Sequence, residues 1–327
     1  MHILIIGAAG MIGVKLTSRL IKDKGLGGKP IDAVTLVDVV APATPADAPF
    51  AVTTKAADLS APDTAAGLVA SRPDVIFHLA AIVSGEAEAD FEKGYRINLD
   101  GTRYLFEAIR KVGDGYKPRV VFTSSIAVFG APFPDAIPDE FHHTPLTSYG
   151  AQKAIDELLL ADYTRRGFMD GIGIRLPTIC VRPGKPNKAA SGFFSGIIRE
   201  PLAGQEAILP VGEDVRHWHA SPRSAVNFLI HAAELDGAEV GPRRNLSMPG
   251  VSVTVGEQIA ALRKVAGDDV AKRIRHEPDP VIVGIVAGWP RNFAPVRAPA
   301  LGFKAEQNFE EIIRIHIEDE LGGTWVK

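Results

Sequence analysis

MHILIIGAAGMIG, residues 1–13, decides how the remainder of this 327-residue chain is read. An apolar run of strand length breaks straight into glycines at 7, 10 and 13, which reads as a strand entering a helix through a tight turn. Each glycine has its own reason. Gly7 takes up the unusual dihedrals of the turn, Gly10 leaves room for a pyrophosphate against the backbone, and Gly13 lets the helix pack closely on the strand. The amides that open the helix, at Met11 and Ile12, face the phosphates. Gly7, Gly10, Met11, Ile12 and Gly13 are therefore read as cofactor-binding.

The next unit supports this. IDAVTLVD (Ile31 to Asp38) reads as a second buried strand ending in an acid, 25 residues beyond Gly13 (38 − 13). The usual interval is about 20 residues, and the glycine-rich loop Lys24 to Pro30 accounts for the surplus. A carboxylate at Asp38 takes both hydroxyls of a ribose. No arginine follows it in VDVVAPATP, so a 2′-phosphate would meet repulsion, and NAD is expected over NADP.

Composition narrows the class. With 46% hydrophobic residues the chain has material for a sizeable core, as two domains or one elaborated domain. Thirty-six basic against 39 acidic residues, a net charge of −3, provide no field for nucleic acid or a membrane surface. The N-terminal apolar run is too short to span a bilayer and has no basic leader, so a cytoplasmic protein is expected. The single cysteine, Cys180, rules out an internal disulfide and reads as a buried structural thiol. The nine histidines, including the His217, Trp218, His219 cluster, lack ligand spacing, and no metal is expected.

Along the chain, strands and helices alternate. FAVTTK and AADLS form an edge beside the adenine, where Asp58, with Leu59, either accepts from the adenine amino group or caps a helix. DVIFHLAAIV (74–83) is a central parallel strand whose small terminal residues, Ala80 and Ala81, let ribose and phosphates pass close to the backbone; Ser84 beyond it faces the substrate. A helix from about 89 to 112 and the strand RVVFTSSIAVFG (119–130) follow, then a helix over 147–167 that carries Tyr149 and Lys153 four apart on one face. The alternation predicts an α/β fold with a doubly wound, parallel Rossmann sheet, its ligands at the carboxyl edge.

These features together resemble the extended branch of the short-chain dehydrogenase/reductase family, which contains nucleotide-sugar epimerases and dehydratases. The resemblance spans nearly the whole chain through GAAGMIG, Asp38, Asp58, HLAA (78–81), NLDGT (98–102), TSSIAVFG, YGAQK and RLPTICVRPG (175–184). It implies Ser125 as catalytic serine, with Ser124 as the adjacent alternative, Tyr149 as acid/base and Lys153 as its lysine, which also binds the nicotinamide ribose. It adds Asn98, Pro177, Thr178 and Ile179 to the cofactor contacts, and a homodimer through the 89–112 and 147–167 helices. A phenol ionises near pH 10, so Tyr149 needs roughly 3 units of depression, about 4 kcal/mol, to act as a base near neutrality. A neighbouring ammonium and a positive nicotinamide are suited to supply that.

Beyond residue 180 a smaller C-terminal substrate-binding lobe (181–327) is expected to join the NAD-binding domain (1–180), the chain crossing between them more than once. The strand GIGIRLPTICV leads through a flexible stretch, VRPGKPNKAASG, into this lobe. Here the chain departs from its relatives. Thr178 stands for an asparagine, Val181 and Arg182 for a Gly-Pro pair, and Arg223 for an aspartate, which puts a nucleotide-diphosphate handle in doubt. Arg182, Arg216 and Arg223 add guanidinium forks suited to a carboxylate. SGIIREPLAGQEAILPV, RHWHASPRSAV, IRHEPDP and IVAGWPR carry a narrower resemblance to members of the branch that oxidise small sugar acids. The expectation is NAD-dependent oxidation of a small sugar acid at its carbon-2 hydroxyl. A nucleotide-sugar epimerase or dehydratase holding its NAD is the alternative, and a nicotinamide-sensing protein without chemistry a third reading.

Overall fold

The structure is a computed structural model that describes residues 1–184 and 190–327; residues 185–189, inside the stretch expected to be flexible, lie outside the described residues. An apolar run needs cover on both faces, and β1 (His2–Ile6) has it, with Ile3, Leu4 and Ile5 fully buried. After β1 come α1 (Met11–Asp23), β2 (Ala33–Asp38), β3 (Ala51–Ala56), β4 (Val75–His78), α2 (Gly101–Val112), β5 (Arg119–Ser125), α3 (Ser148–Arg165) and β6 (Asp170–Leu176). The chain continues with β7 (Thr178–Ile179), α4 (Gly192–Leu202), β8 (Arg216–Ala220), α5 (Pro222–Glu234), β9 (Asn245–Ser247), β10 (Val251–Thr254), α6 (Val255–Ala266) and α7 (Phe309–Leu321).

Seven of these strands form one parallel sheet in the order β9-β6-β5-β4-β1-β2-β3. Ile3 of β1 lies opposite Val34 on one side and Val75 on the other, so the direction of winding reverses at β1. A crevice opens at the carboxyl ends of strands where winding reverses, and the glycine turn leaves β1 there. Leu4, Ile76, Val120 and Phe122 from the sheet share one core with Leu105, Phe106 and Ile109 from α2.

The chain divides into two units, each made of three segments. One unit comprises 1–128, 147–175 and 226–247; the other comprises 129–146, 176–225 and 248–327. Pro177 explains part of the division. GIGIRLPTICV is not one strand: a proline donates no backbone hydrogen bond, so the ladder of β6 stops at Leu176. Thr178 and Ile179 pair instead with His219 and Ala220 of β8 in a three-stranded sheet, β7-β8-β10, of the second unit. The segment 226–247 returns to the first unit because β9 adds to its sheet, Leu246 lying opposite Ile174. The second unit has its own core, built from Phe194, Ile197, Ile198 and Leu202 of α4, Leu262 of α6, and Ile312 and Ile313 of α7.

The helix expected over 89–112 is also interrupted. The Asp90 side chain accepts from the Lys93 amide at 3.0 Å and caps a short turn, Tyr95–Asp100 winds as a π-helix, and α2 resumes at Gly101. Such wide turns insert a residue and re-aim side chains. Among the described residues no helix is long and apolar enough to cross a membrane.

Candidate active site

The three glycines of the first turn meet different neighbours. A Cβ on Gly7 would lie 2.7 Å from the Ala80 amide nitrogen, and one on Gly13 would lie 2.3 Å from the Gly7 carbonyl and 2.6 Å from the Ala8 Cα. Backbone atoms cannot step aside, so packing alone demands glycine at both positions. Gly10 differs. A Cβ there would come no closer than 3.4 Å to any protein atom outside its chain neighbours. The space beside Gly10 is thus open to a ligand at the mouth of α1, whose N-cap has no side-chain hydrogen bond and whose first turn has no acid. Met11 and Ile12 open that helix. A cradle of free amides with room above it suits a pyrophosphate, and the residues present fit a dinucleotide.

Asp38 ends β2 beside this turn. Its Oδ2 accepts from the Ala9 amide at 3.0 Å and its Oδ1 from the Val39 amide at 2.8 Å, which fixes the carboxylate against the glycine loop while each oxygen keeps lone-pair capacity for a ribose hydroxyl. Asp58 Oδ1 accepts from the amide (2.9 Å) and hydroxyl (2.6 Å) of Ser60. Desolvation pushes its carboxyl up, yet the Ser60 hydrogen bonds and the Arg96 guanidinium bring it net below the usual carboxylate range. Leu59 next to it is buried.

Ala80 is half-buried and Ala81 exposed just past β4, where small side chains leave the backbone approachable. Ser84 opens the short helix Ser84–Ala89. Asn98 is 1% exposed, its Oδ1 accepts from the Ile82 amide at 2.9 Å, and its Nδ2 donates to Gln152 Oε1 at 2.7 Å. Its work is to hold the Ala80 to Val83 segment onto α3.

α3 carries the candidate residues Tyr149 and Lys153, and its burial does not follow hydrophobic patterning. Thr147 caps it by accepting from the Gly150 amide at 3.1 Å. Its buried face contains Gln152, Lys153, Asp156 and Glu157, whereas Ile155 and Leu158 are exposed. Lys153 Nζ donates to the Thr123 carbonyl at 2.9 Å, lies 4.6 Å from the Phe122 ring centroid and 5.8 Å from that of Tyr149. Burial brings the Lys153 ammonium down to about 8, against Asp156 and Glu157, which raise it.

The two adjacent serines are separated by their partners. Ser124 is 3% exposed and donates to Glu157 Oε1 at 2.5 Å. Glu157 is in turn gripped by the Arg175 fork, with Nη2 to Oε2 at 2.7 Å and Nε to Oε1 at 2.9 Å. Ser125 is half-buried, and its Oγ accepts from the Ala127 amide at 3.1 Å, which leaves its proton to give. His78 packs behind, its Nε2 at 2.9 Å from the Thr102 hydroxyl, and burial first and Lys153 second hold its imidazole down at about 3. It is neutral near pH 7. Sequence reading did not single out Asp156, Glu157, Arg175 or His78; the three- and four-residue spacing of the first two from Lys153 was the available signal.

The remaining candidates belong to the second unit. Pro177 and Ile179 are buried, and Thr178 is half-buried. His217 sits between the Thr178 hydroxyl (2.7 Å from Nε2) and the Pro290 carbonyl (2.8 Å from Nδ1). A carbonyl only accepts, so Nδ1 carries the proton and the Thr178 hydroxyl donates to Nε2; burial above all keeps this imidazole neutral, down to about 4. Arg182 donates from Nε to the Ile179 carbonyl at 3.0 Å and from Nη2 to Ser191 at 3.1 Å. Arg216 pairs with Glu257 at 3.2 Å and donates to the Ser252 carbonyl at 3.0 Å. Arg223 is exposed and already holds two carboxylates of this chain, Asp319 at 2.5 Å and Glu318 at 2.9 Å. Cys180 is buried, donates to the Phe194 carbonyl, and desolvation pushes its thiol up to about 12. Among the described residues no three His, Cys, Asp or Glu side chains gather as metal ligands.

Known proteins resemble the chain over its whole length. Residues 3–236 match the NAD dependent epimerase/dehydratase family. A D-erythronate dehydrogenase of Cupriavidus necator is 49% identical over 324 residues, 98% of this chain and 98% of that protein. A D-erythronate dehydrogenase of Haemophilus influenzae is 42% identical over 321 residues, 98% of this chain and 100% of that protein. A crystal structure described as a nucleoside-diphosphate-sugar epimerase from Agrobacterium tumefaciens superposes with a TM-score of 0.98 at 71% identity, covering 99% of this chain and 95% of that one.

Proposed function

Since the chain belongs to the NAD dependent epimerase/dehydratase family, we propose that it is a NAD-dependent dehydrogenase that oxidises D-erythronate at the carbon-2 hydroxyl to the 2-keto acid. The observation that carries the reading is identity with two D-erythronate dehydrogenases along their full length, joined to the set Ser125, Tyr149 and Lys153 within one unit. NAD, when bound, accepts the hydride from carbon 2. Gly10 and the opening of α1 hold its pyrophosphate and Asp38 its adenosine ribose. Tyr149 takes the hydroxyl proton, Lys153 supplies the positive charge that lets a phenol do so, and Ser125 donates to the reacting oxygen and orients it.

The substrate's carboxylate goes to an arginine. Arg182 is the first of the three to test, because it closely follows the Thr178–Ile179 strand and its Nε is anchored on the Ile179 carbonyl at 3.0 Å. The exposed Ile155 and Leu158 on α3 fit a homodimer seam, and a cytoplasmic location suits a NAD-linked oxidation of a sugar acid.

A nucleotide-sugar epimerase is the second reading, favoured by the description of the 71% identical structure. Against it, Thr178 occupies the asparagine's place and its hydroxyl proton is spent on His217. The two readings part on cofactor release. An epimerase recycles bound NAD, whereas this reaction must accumulate NADH. Absorbance at the NADH band with four- to six-carbon aldonates, D-erythronate first, and with nucleotide sugars tests the proposal; reduction by none of the acids, with epimerisation of a nucleotide sugar, refutes it.

A further inference from the structure

We propose that His217 is a positioning residue for ligand recognition: it accepts the hydrogen bond of the Thr178 hydroxyl and so fixes that oxygen as an acceptor, matched to an N–H or O–H donor on the bound cofactor or substrate. The proposal rests on the reading of Thr178 above as a contact of the NAD and sugar-acid site. Thr178 opens β7 two residues beyond the carboxyl end of β6, and ligands of open α/β sheets bind beyond that edge. It lies opposite His219 in the parallel pairing of β7 with β8, and His217 precedes His219 by two residues, on the same face of its strand. Thr178, His217 and the groups around the ring all belong to one unit.

The direction of the bond is set from the far side of the ring. Nδ1 stands 2.8 Å from the Pro290 carbonyl, which only accepts, so the neutral ring carries its proton there and presents a bare Nε2 to the Thr178 hydroxyl at 2.7 Å. Burial, and the Arg182 charge after it, oppose a second ring proton. The ring is also held against turning: it stacks on Phe194 at 5.1 Å and 1°, and its centroid lies 5.3 Å from that of His219 and 5.4 Å from that of Trp289. A threonine hydroxyl has one proton and two lone pairs, so with the proton engaged it can only accept. Among the described residues no donor fills those lone pairs. Thr178 is half-buried, so a ligand can reach it where it cannot reach the buried ring.

Two ligand groups carry the required donor: the carboxamide NH2 of nicotinamide, and a hydroxyl on carbon 3 or carbon 4 of a four-carbon aldonate. An analogue deletes each one. Acetylpyridine adenine dinucleotide has a methyl group for the NH2, 2,4-dihydroxybutanoate lacks the carbon-3 hydroxyl, and 2,3-dihydroxybutanoate lacks the one on carbon 4. The experiment measures kcat/KM for parent and analogue with the wild type, Thr178→Val, Thr178→Ser and His217→Phe. The ratio of parent to analogue is the readout, because a merely structural loss lowers both alike. Nitrogen-15 NMR of the wild-type ring reads the tautomer, His217 being assigned by the shift that Thr178→Val causes at its Nε2.

One analogue should be disfavoured roughly 5- to 150-fold by the wild type and by Thr178→Ser, and by no more than about twofold by Thr178→Val. Which analogue that is names the donor. In His217→Phe the hydroxyl proton is free to turn to the ligand, so the same discrimination should fall about threefold or more. The wild-type spectrum should show a bare Nε2. Discrimination left unchanged by Thr178→Val, discrimination left unchanged by His217→Phe, or a proton on Nε2 overturns the proposal. If His217→Phe does not fold, the Thr178 ratios and the spectrum decide. Should the wild type oxidise no aldonate, it is the underlying reading that fails; the spectrum, with calorimetric titration of NAD and its acetylpyridine analogue, then decides this one.

Discussion

Replacing Gly10 and Gly13 by alanine, one at a time, separates what the fold requires from what a ligand requires. At Gly13 the new methyl would lie 2.3 Å from the Gly7 carbonyl and 2.6 Å from the Ala8 Cα, so α1 must move off β1. Overpacking against backbone costs about 1–3 kcal/mol and occasionally more. At Gly10 the nearest outside atom is 3.4 Å away and φ is −71°, which any residue adopts. The entropy gained by removing a glycine, about 0.4–1 kcal/mol, opposes a similar loss from placing alanine at an N-cap. Gly10→Ala should therefore melt within about 4 °C of wild type. Its methyl occupies the pyrophosphate's place, however, and a 1–3 kcal/mol clash there weakens NAD about 5- to 150-fold. Thermal unfolding with and without NAD, and calorimetric titration of NAD, read both quantities. Wild-type NAD affinity in Gly10→Ala would refute the assignment of the cradle, and an unfolded Gly10→Ala would refute the claim that the protein leaves that space open.

The serines should part in the same way. Ser125→Ala should lose about 10²-fold in kcat at unchanged stability, whereas Ser124→Ala, which deletes a hydrogen bond to a buried carboxylate, should lose about 1.5–3 kcal/mol in urea unfolding and keep most turnover; the reverse pattern makes Ser124 the catalytic one. Glu157→Ala leaves the buried Arg175 guanidinium without its counter-ion and should cost about 3–5 kcal/mol, and a loss under 1 kcal/mol would mean that the fork is ornamental. Arg182→Lys retains charge but loses the fork, so kcat/KM for the acid should fall about 30- to 150-fold with NADH affinity unchanged. Arg223→Lys, on an exposed ion pair worth at most about 1 kcal/mol, should leave kinetics as they are; equal effects at both sites would undo the choice between them.

The doubly wound sheet was legible in the sequence because its signals are local. An apolar run, a glycine turn, an acid at the next strand's end and a Tyr and Lys four apart each depend on a few consecutive residues and on fixed helical and strand periods. The resemblance to the extended dehydrogenases follows from those same short motifs. Tertiary structure decided what depends on which side chains meet across the chain. TSS offers two equivalent hydroxyls in sequence, and only the approach of Glu157 and Arg175 consumes the one on Ser124. Asn98 sits among cofactor residues in sequence, yet its amide is spent between Ile82 and Gln152. Three arginines look alike until α7 presents Glu318 and Asp319 to one of them. α3 defeats patterning most fully, because it buries Lys153, Asp156 and Glu157 and exposes Ile155 and Leu158. Patterning assumes that burial follows hydrophobicity, and that assumption fails where a buried charge is met by a partner from elsewhere in the chain, as Arg175 meets Glu157 at 2.7 Å.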